Sequence, residues 1–334
     1  AAVRDHLGSY AVNMAIEVPG GFAFPADLLV PQATYQNDRD WQQRQFEAVA
    51  SQATHMLIEA QEPPFGRLLG RDVERQAAAL RDRGVDVAFI AHGTDVRLPS
   101  RHLHRTSWSH YRAPGVYVPR LEHVAATNAL LLRRSGRPVF VSTPDLLADL
   151  PWALWCPVVV DLDRWQNNRN DQGASTPAPL RVAHIPSVAA LKGTELVEPS
   201  MLRLQDAGRI RWRRASGIPS RDMPALFAET DVLLDQFRAG SYGVGAVEAL
   251  ASGCVVVGHI MPDVRAAVLS ATGLALPVVE ATPDTLEAVI DDLTERPEAL
   301  DGLRRRGIEF VRKVHDGRRS AEVLGTWLGA KVIN

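Results

Sequence analysis

Cysteine is almost absent: Cys156 and Cys254 are the two in 334 residues. Both stand among apolar residues, in WCPVVV and GCVVVG, and in different halves of the chain. Two such residues do not make a disulfide scaffold or a metal site, so buried free thiols in a reducing compartment are expected. No apolar run reaches the length of a membrane span, and no charged start precedes an apolar stretch, so the reading is a cytoplasmic protein without stable transmembrane association. Excess charge of one sign is missing as well. The 37 basic and 39 acidic side chains leave a formal charge of -2, which gives no global attraction to nucleic acid or a membrane surface.

What is present is ordinary globular composition, 46% hydrophobic and 23% charged, in a chain of 36.6 kDa. That size exceeds the point at which single cores usually stop growing, so two domains are expected. The opening AAVRDHLGSYAVNMAIEV reads as a helix end, a turn at Gly8 and a strand. WQQRQFEAVASQA and RDVERQAAALRDRG have helical periodicity, and each precedes a short apolar run, THMLIEA and VDVAFIAH. LEHVAATNALLLRRSG followed by PVFVST repeats the pattern. Alternation of this kind indicates parallel sheets covered by helices.

The stretch 166–179 breaks it: QNNRNDQGASTPAP is polar and aperiodic, as linkers are. The rhythm then restarts with LRVAHIPS, KGTELVEPSMLRLQDAG, RIRWRRAS, MPALFAET, DVLLDQ, GAVEALASG, CVVVGH and LALPVV. The expected division is 1–165, a linker at 166–179, a second domain at 180–315 and a terminal helix within 316–334 that turns back toward the first domain. Two such α/β domains leave a ligand cleft between the carboxyl ends of their sheets.

Four stretches carry possible chemistry. In SYGVGAVEALASG, Gly243 and Gly245 allow close backbone approach, a helix beginning near Gly245, next to Val244, presents amides suited to phosphate oxygens, and Glu248 falls in the first helical turn. A simply capped helix reads the same way. In HIPSVAALKGTE, Ser187, Lys192 and Gly193 follow a strand end and are suited to surround a diphosphate, although the full P-loop pattern is missing. In FIAHGTDVR, His92 stands just beyond a buried strand, with Asp95 and Arg97 following. A strand-capping histidine and a local turn pair are the bland alternatives. Finally, Arg97, Arg101, His102, His104, Arg105, His110 and Arg112 form a basic cluster interleaved with Trp108 and Tyr111. A solvated loop is the first expectation there, ahead of an anionic acceptor or nucleic acid.

Taken in order, AHIPSVAALKGT, DVLLDQFRAGSYGVGAVEALASGCVVVG and VHDGRRSAEVLGTWL resemble the retaining GT-B glycosyltransferases of the family-4 type, over most of 85–328. The resemblance implies two facing Rossmann-like domains. A nucleoside diphosphate sugar is held mainly by the second domain, and a small-molecule or glycan acceptor by the first, with an anionic group on the acceptor as one option. It assigns Glu248 to the donor ribose, Lys192 to the diphosphate, and His92 to the neighbourhood of the reacting sugar. Gly217 falls in the loop near the base, and backbone groups through Tyr242 lie beside the sugar. Asp95 and Arg97 fall on the acceptor side.

Two positions depart from the family. Gly240 stands where its first motif glutamate would be, and Val188, Ala189 and Ala190 replace an arginine before Lys192. Arg213 or Arg214 is the candidate substitute. The family's first strand and glycine-rich loop would precede Ala1. The implied chemistry is front-face transfer without metal or cofactor. A noncatalytic nucleotide-sugar-binding scaffold is the alternative from another class, and a sugar-nucleotide epimerase is the second enzymatic one.

Overall fold

The computed structural model describes residues 2–17, 26–166 and 179–332. All the pairings between its strands are parallel, as the alternation of short apolar runs and helices requires. In the first half, β1 (Met14–Glu17) pairs with β2 (Leu28–Pro31). The main sheet there runs β3 (His55–Glu59), β4 (Asp86–Ala91), β5 (Val139–Val141), β6 (Leu154–Trp155), in sequence order. In the second half are β7 (Leu180–His184), β8 (Ile210–Arg214), β9 (Val232–Leu234), β10 (Val255–Gly258) and β11 (Val278–Glu280). They are ordered β11-β10-β9-β7-β8.

β10 is buried along its whole length, as a valine run covered on both faces must be. β8 is charged for a different reason. It is an edge strand with one neighbour, and Arg213 and Arg214 turn outward to Glu229 at 3.3 Å and Glu198 at 2.8 Å. Helix Val244–Ala251 is apolar almost all round because it lies between β10, helix Pro297–Val314 and the short helix Leu162–Gln166. Pro262–Thr272 is also helical, which the sequence pattern did not announce: it begins on a proline and buries only Val264 and Val268.

The segment expected as linker lies, apart from its end residues 166 and 179, outside the described residues. After it, the last helix, Arg318–Leu328, packs on helix Ala2–Leu7 of the first half. Trp327 lies edge-on to His55, and Ser320 Oγ donates to the Pro157 carbonyl at 2.6 Å. Cys156 and Cys254 are both buried, and neither is in a disulfide. Among the described residues, no helix is long and apolar enough to cross a membrane.

Part of the basic cluster expected as a solvated loop is a buried joint instead, while Arg101, His104 and Arg112 stay exposed as expected. His102, His110 and Tyr111 are buried, on helix Pro99–Arg105 and the turn His110–Arg112. His102 shares a hydrogen bond with Ser109 Oγ at 2.7 Å through Nδ1, and its Nε2 meets the Ala239 carbonyl of the second half at 3.0 Å. Arg238 donates to the Ser109 carbonyl at 3.2 Å, and Arg105 pairs with Asp263. Burial pushes both histidines down, His102 to about 4 and His110 to about 3, so they are neutral at pH 7. Neutral rings can be enclosed between the halves at a cost that a charged cluster of the same sequence could not meet.

Candidate functional site

In the second-half sheet the chain leaves β7 for β8 on one side and then crosses to β9 on the other. The order therefore reverses between β7 and β9, and open α/β sheets bind ligands in the crevice outside the carboxyl ends of such strands. Ser187, Lys192 and Gly193 follow β7, and Asp235 follows β9 directly. Lys192, expected directly after the strand-end loop at the start of the next helix, is instead the last residue of a separate short helix, Ala189–Lys192. Gly193 turns the chain with φ +81, the left-handed region that favours glycine, and a Cβ there would lie 3.2 Å from Arg238 Cγ, so the arginine would have to shift by a few tenths of an ångström. Ser187 is exposed. The Thr194 hydroxyl is directed away from the crevice, to the buried His184 at 2.8 Å.

Across the crevice, Lys192 Nζ donates to Asp235 Oδ1 at 2.5 Å. The same ammonium lies 4.0 Å from where a Gly245 Cβ would be, over the start of helix Val244–Ala251. Gly243 precedes that helix, no side chain caps it, and a Cβ on Gly243 would meet nothing within 4 Å. The first amides, at Val244 and Gly245, come before the helical ladder and so have no intrahelical acceptor. A cation and uncapped helix amides thus border open space, an arrangement suited to phosphate oxygens.

Because the helix begins at Val244, Glu248 is its fifth residue, in the second turn and not in the first as the sequence suggested. No hydrogen bond or ion pair reaches its carboxylate among the described residues. Burial raises Glu248 to about 7, against the pull of Arg164 and then Lys192. Arg164, which sequence reasoning missed, stands on helix Leu162–Gln166 and donates to Ser220 Oγ at 2.9 Å. That serine follows the open turn at Gly217, where φ is +67. Tyr242 directs its hydroxyl to His315 Nε2 at 3.3 Å and is buried in the joint between the halves, which leaves only its backbone for the crevice.

Gly240 has a geometric cause for its missing side chain. Its φ is +67, and a Cβ would lie 2.6 Å from Met261 Cγ. Introducing by Gly240→Glu the acid that the sequence resemblance implies at this position is expected to cost about 2 kcal/mol or more in chemical denaturation. Met261→Ala should recover part of that loss; an unchanged midpoint for the single variant would show that the loop has room.

On the first-half side, His92 follows β4, and its Nε2 lies 3.7 Å from Glu59 Oε2 at the end of β3. Burial lowers the imidazole, but pairing with Glu59 and the charge of Asp95 outweigh it and hold His92 above its usual range. Asp95 accepts from the backbone amides of His92 at 3.1 Å and Gly93 at 2.5 Å, closing the turn. Arg97 forms a buried pair with Asp145 at 2.6 Å. Among the described residues no hydrogen bond or ion pair joins His92, Asp95 or Arg97 to the Lys192 group. Arg213 and Arg214 remain on the outer edge of β8, engaged by glutamates. The arginine that does approach the Lys192 turn is Arg238, which pairs with Glu195. No group of three or more histidine, cysteine or acidic side chains suited to a metal occurs among the described residues.

No protein-family model matches the chain, and no curated protein matches it in sequence. Solved structures do. Sucrose-phosphate synthase from Thermosynechococcus elongatus superposes with a TM-score of 0.58 at 11% identity, covering 90% of this chain and 80% of that one. Anabaena HepE, solved in complex with UDP, gives 0.54 at 11% identity over 86% and 82% of the two chains. A glycosyltransferase from Rickettsia africae gives 0.54 at 10% identity over 90% and 84%. The fold is therefore GT-B: α/β, with two facing Rossmann-like domains.

Proposed function

We propose that the protein is a glycosyltransferase that moves a sugar from a nucleoside diphosphate sugar to an acceptor hydroxyl, with retention and without a metal. The observation that carries this reading is the Lys192 ammonium over the uncapped start of helix Val244–Ala251, with the unpaired Glu248 further along the same helix. It lies at the crevice where open α/β sheets bind ligands. Anabaena HepE, of the same fold, has been solved with UDP and with UDP-glucose, which supports a nucleotide sugar as the donor class.

In this reading the diphosphate accepts from the Val244 and Gly245 amides and from Lys192. As the glycosidic bond breaks, the leaving diphosphate gains negative charge, and a cation with preorganised amides stabilises that charge more than it does the ground state. The acceptor hydroxyl attacks from the face the diphosphate leaves and passes its proton to the departing phosphate oxygen. Glu248, ionised, accepts from the ribose hydroxyls, and Gly217 leaves its loop open to the base. His92 borders the sugar from the first domain, and the acceptor enters beside its turn, which Asp95 and Arg97 hold in shape. The division into 1–165, 166–179, 180–315 and 316–334 and a cytoplasmic location belong to the same proposal.

The test is a panel of nucleoside diphosphate sugars, each followed by thermal shift and by donor hydrolysis. One donor is expected to raise the melting temperature and to be hydrolysed slowly without acceptor. A thermal shift accompanied by neither hydrolysis nor transfer to any acceptor offered would favour a binding scaffold; the filled position around Gly240 and Met261 is the observation behind that second reading.

A further inference from the structure

Asp235 has no part in the site as read from sequence, yet it is the most enclosed charge in it. The side chain is 3% exposed, at the end of the central strand β9. Oδ1 holds Lys192 Nζ at 2.5 Å, while Oδ2 is buried with no hydrogen-bond partner among the described residues. A carboxylate enclosed in this way needs its cation: without Lys192 it would be a buried charge with nothing to offset it. Lys192, at 19% side-chain exposure, is reachable from the crevice. The ammonium therefore stands between two anion positions, one filled by protein and one open above the helix amides.

We propose that Asp235 is a positioning residue that acts as an internal counter-anion. It holds Lys192 in place before the donor arrives and competes with the diphosphate for it afterwards. The inference rests on the donor-site reading above. Its consequence is kinetic as well as structural. An anion built into the site weakens the hold on the nucleoside diphosphate product, which carries more charge on its terminal phosphate than the donor does, and so speeds its release. The groups that act on Lys192 are Asp235, just after β9, Glu248 on helix Val244–Ala251, and the buried His184 at the end of β7; Arg164 acts on Glu248 as well. Of these, Asp235 alone is in direct contact with the ammonium.

The experiment is calorimetry with inorganic diphosphate on the full chain and on Asp235→Asn, Asp235→Ser and Lys192→Met, each checked for folding by circular dichroism. Both Asp235 variants are expected to bind diphosphate at least about tenfold tighter, since a charge-assisted hydrogen bond no longer has to be exchanged. Lys192→Met is expected to bind more weakly than the parent. With a turned-over donor, Asp235→Asn should lower kcat and KM together, as slowed product release requires. A purely structural Asp235 would leave binding unchanged or weakened when replaced, and either result overturns the proposal while the parent's own diphosphate binding keeps the donor-site reading. If no variant and no parent binds diphosphate, both fall together.

Discussion

Lys192→Met is expected to reduce sugar transfer by about a hundredfold to a thousandfold, the loss that follows removal of one preorganised charge-stabilising donor from an active site. The fall should appear in kcat/KM with a large share in kcat, because the negative charge on the leaving diphosphate is greatest in the transition state. The fold should survive, although with some loss of stability, since Asp235 is left without its partner. Steady-state kinetics beside a denaturation curve separates the two effects. Transfer at the parental rate from a folded variant would remove Lys192 from the chemistry.

Glu248→Gln is expected to do two opposite things. The ordinary value of its carboxyl is 4.5 and burial lifts it to about 7 in the fold. Between those values the folded chain keeps a proton that the unfolded chain has lost. Stability therefore falls as pH rises from about 4.5 to about 7 and is level above that. The glutamine variant lacks this decline and should be more stable than the parent by about 1–3 kcal/mol at pH 8, while the two converge near pH 4.5. Donor binding should move the other way, weaker by about tenfold to a hundredfold at pH 8, because an amide replaces a charged acceptor of ribose hydroxyls. Urea denaturation at two pH values and calorimetry with the donor check both halves. Equal stability at pH 8 would mean that the carboxylate is better solvated than its surroundings imply.

Much of the fold was legible because it depends on local pattern. The alternation of amphipathic helices and short valine-rich strands announced parallel sheets. β8 was legible in spite of IRWRR because a strand with one neighbour can turn arginines outward. Helix Pro262–Thr272 escaped notice because two buried valines give almost no periodic signal. The donor side of the candidate site was legible in part, since Lys192, Gly193 and Gly245 belong to continuous stretches at strand ends and helix starts. Asp235 and Arg164 were not, because their places are set by which strand lies beside which. The buried part of the basic cluster was misread for the same reason: nothing within RHLHRTSWSHYR announces that a carbonyl from residue 239 will accept from its first histidine. Gly240 looked like a missing acid, and the structure adds the steric reason, a left-handed backbone pressed against Met261.

The central claim is that the start of helix Val244–Ala251 and Lys192 hold a nucleotide diphosphate. The most direct measurement is a crystal structure of the chain with the nucleoside diphosphate that gives the largest thermal shift. Phosphate oxygens are expected within hydrogen-bonding distance of the Val244 and Gly245 amides and of Lys192 Nζ, drawn away from Asp235, with the ribose on Glu248. A nucleotide bound elsewhere, with Lys192 still seated on Asp235, would contradict it.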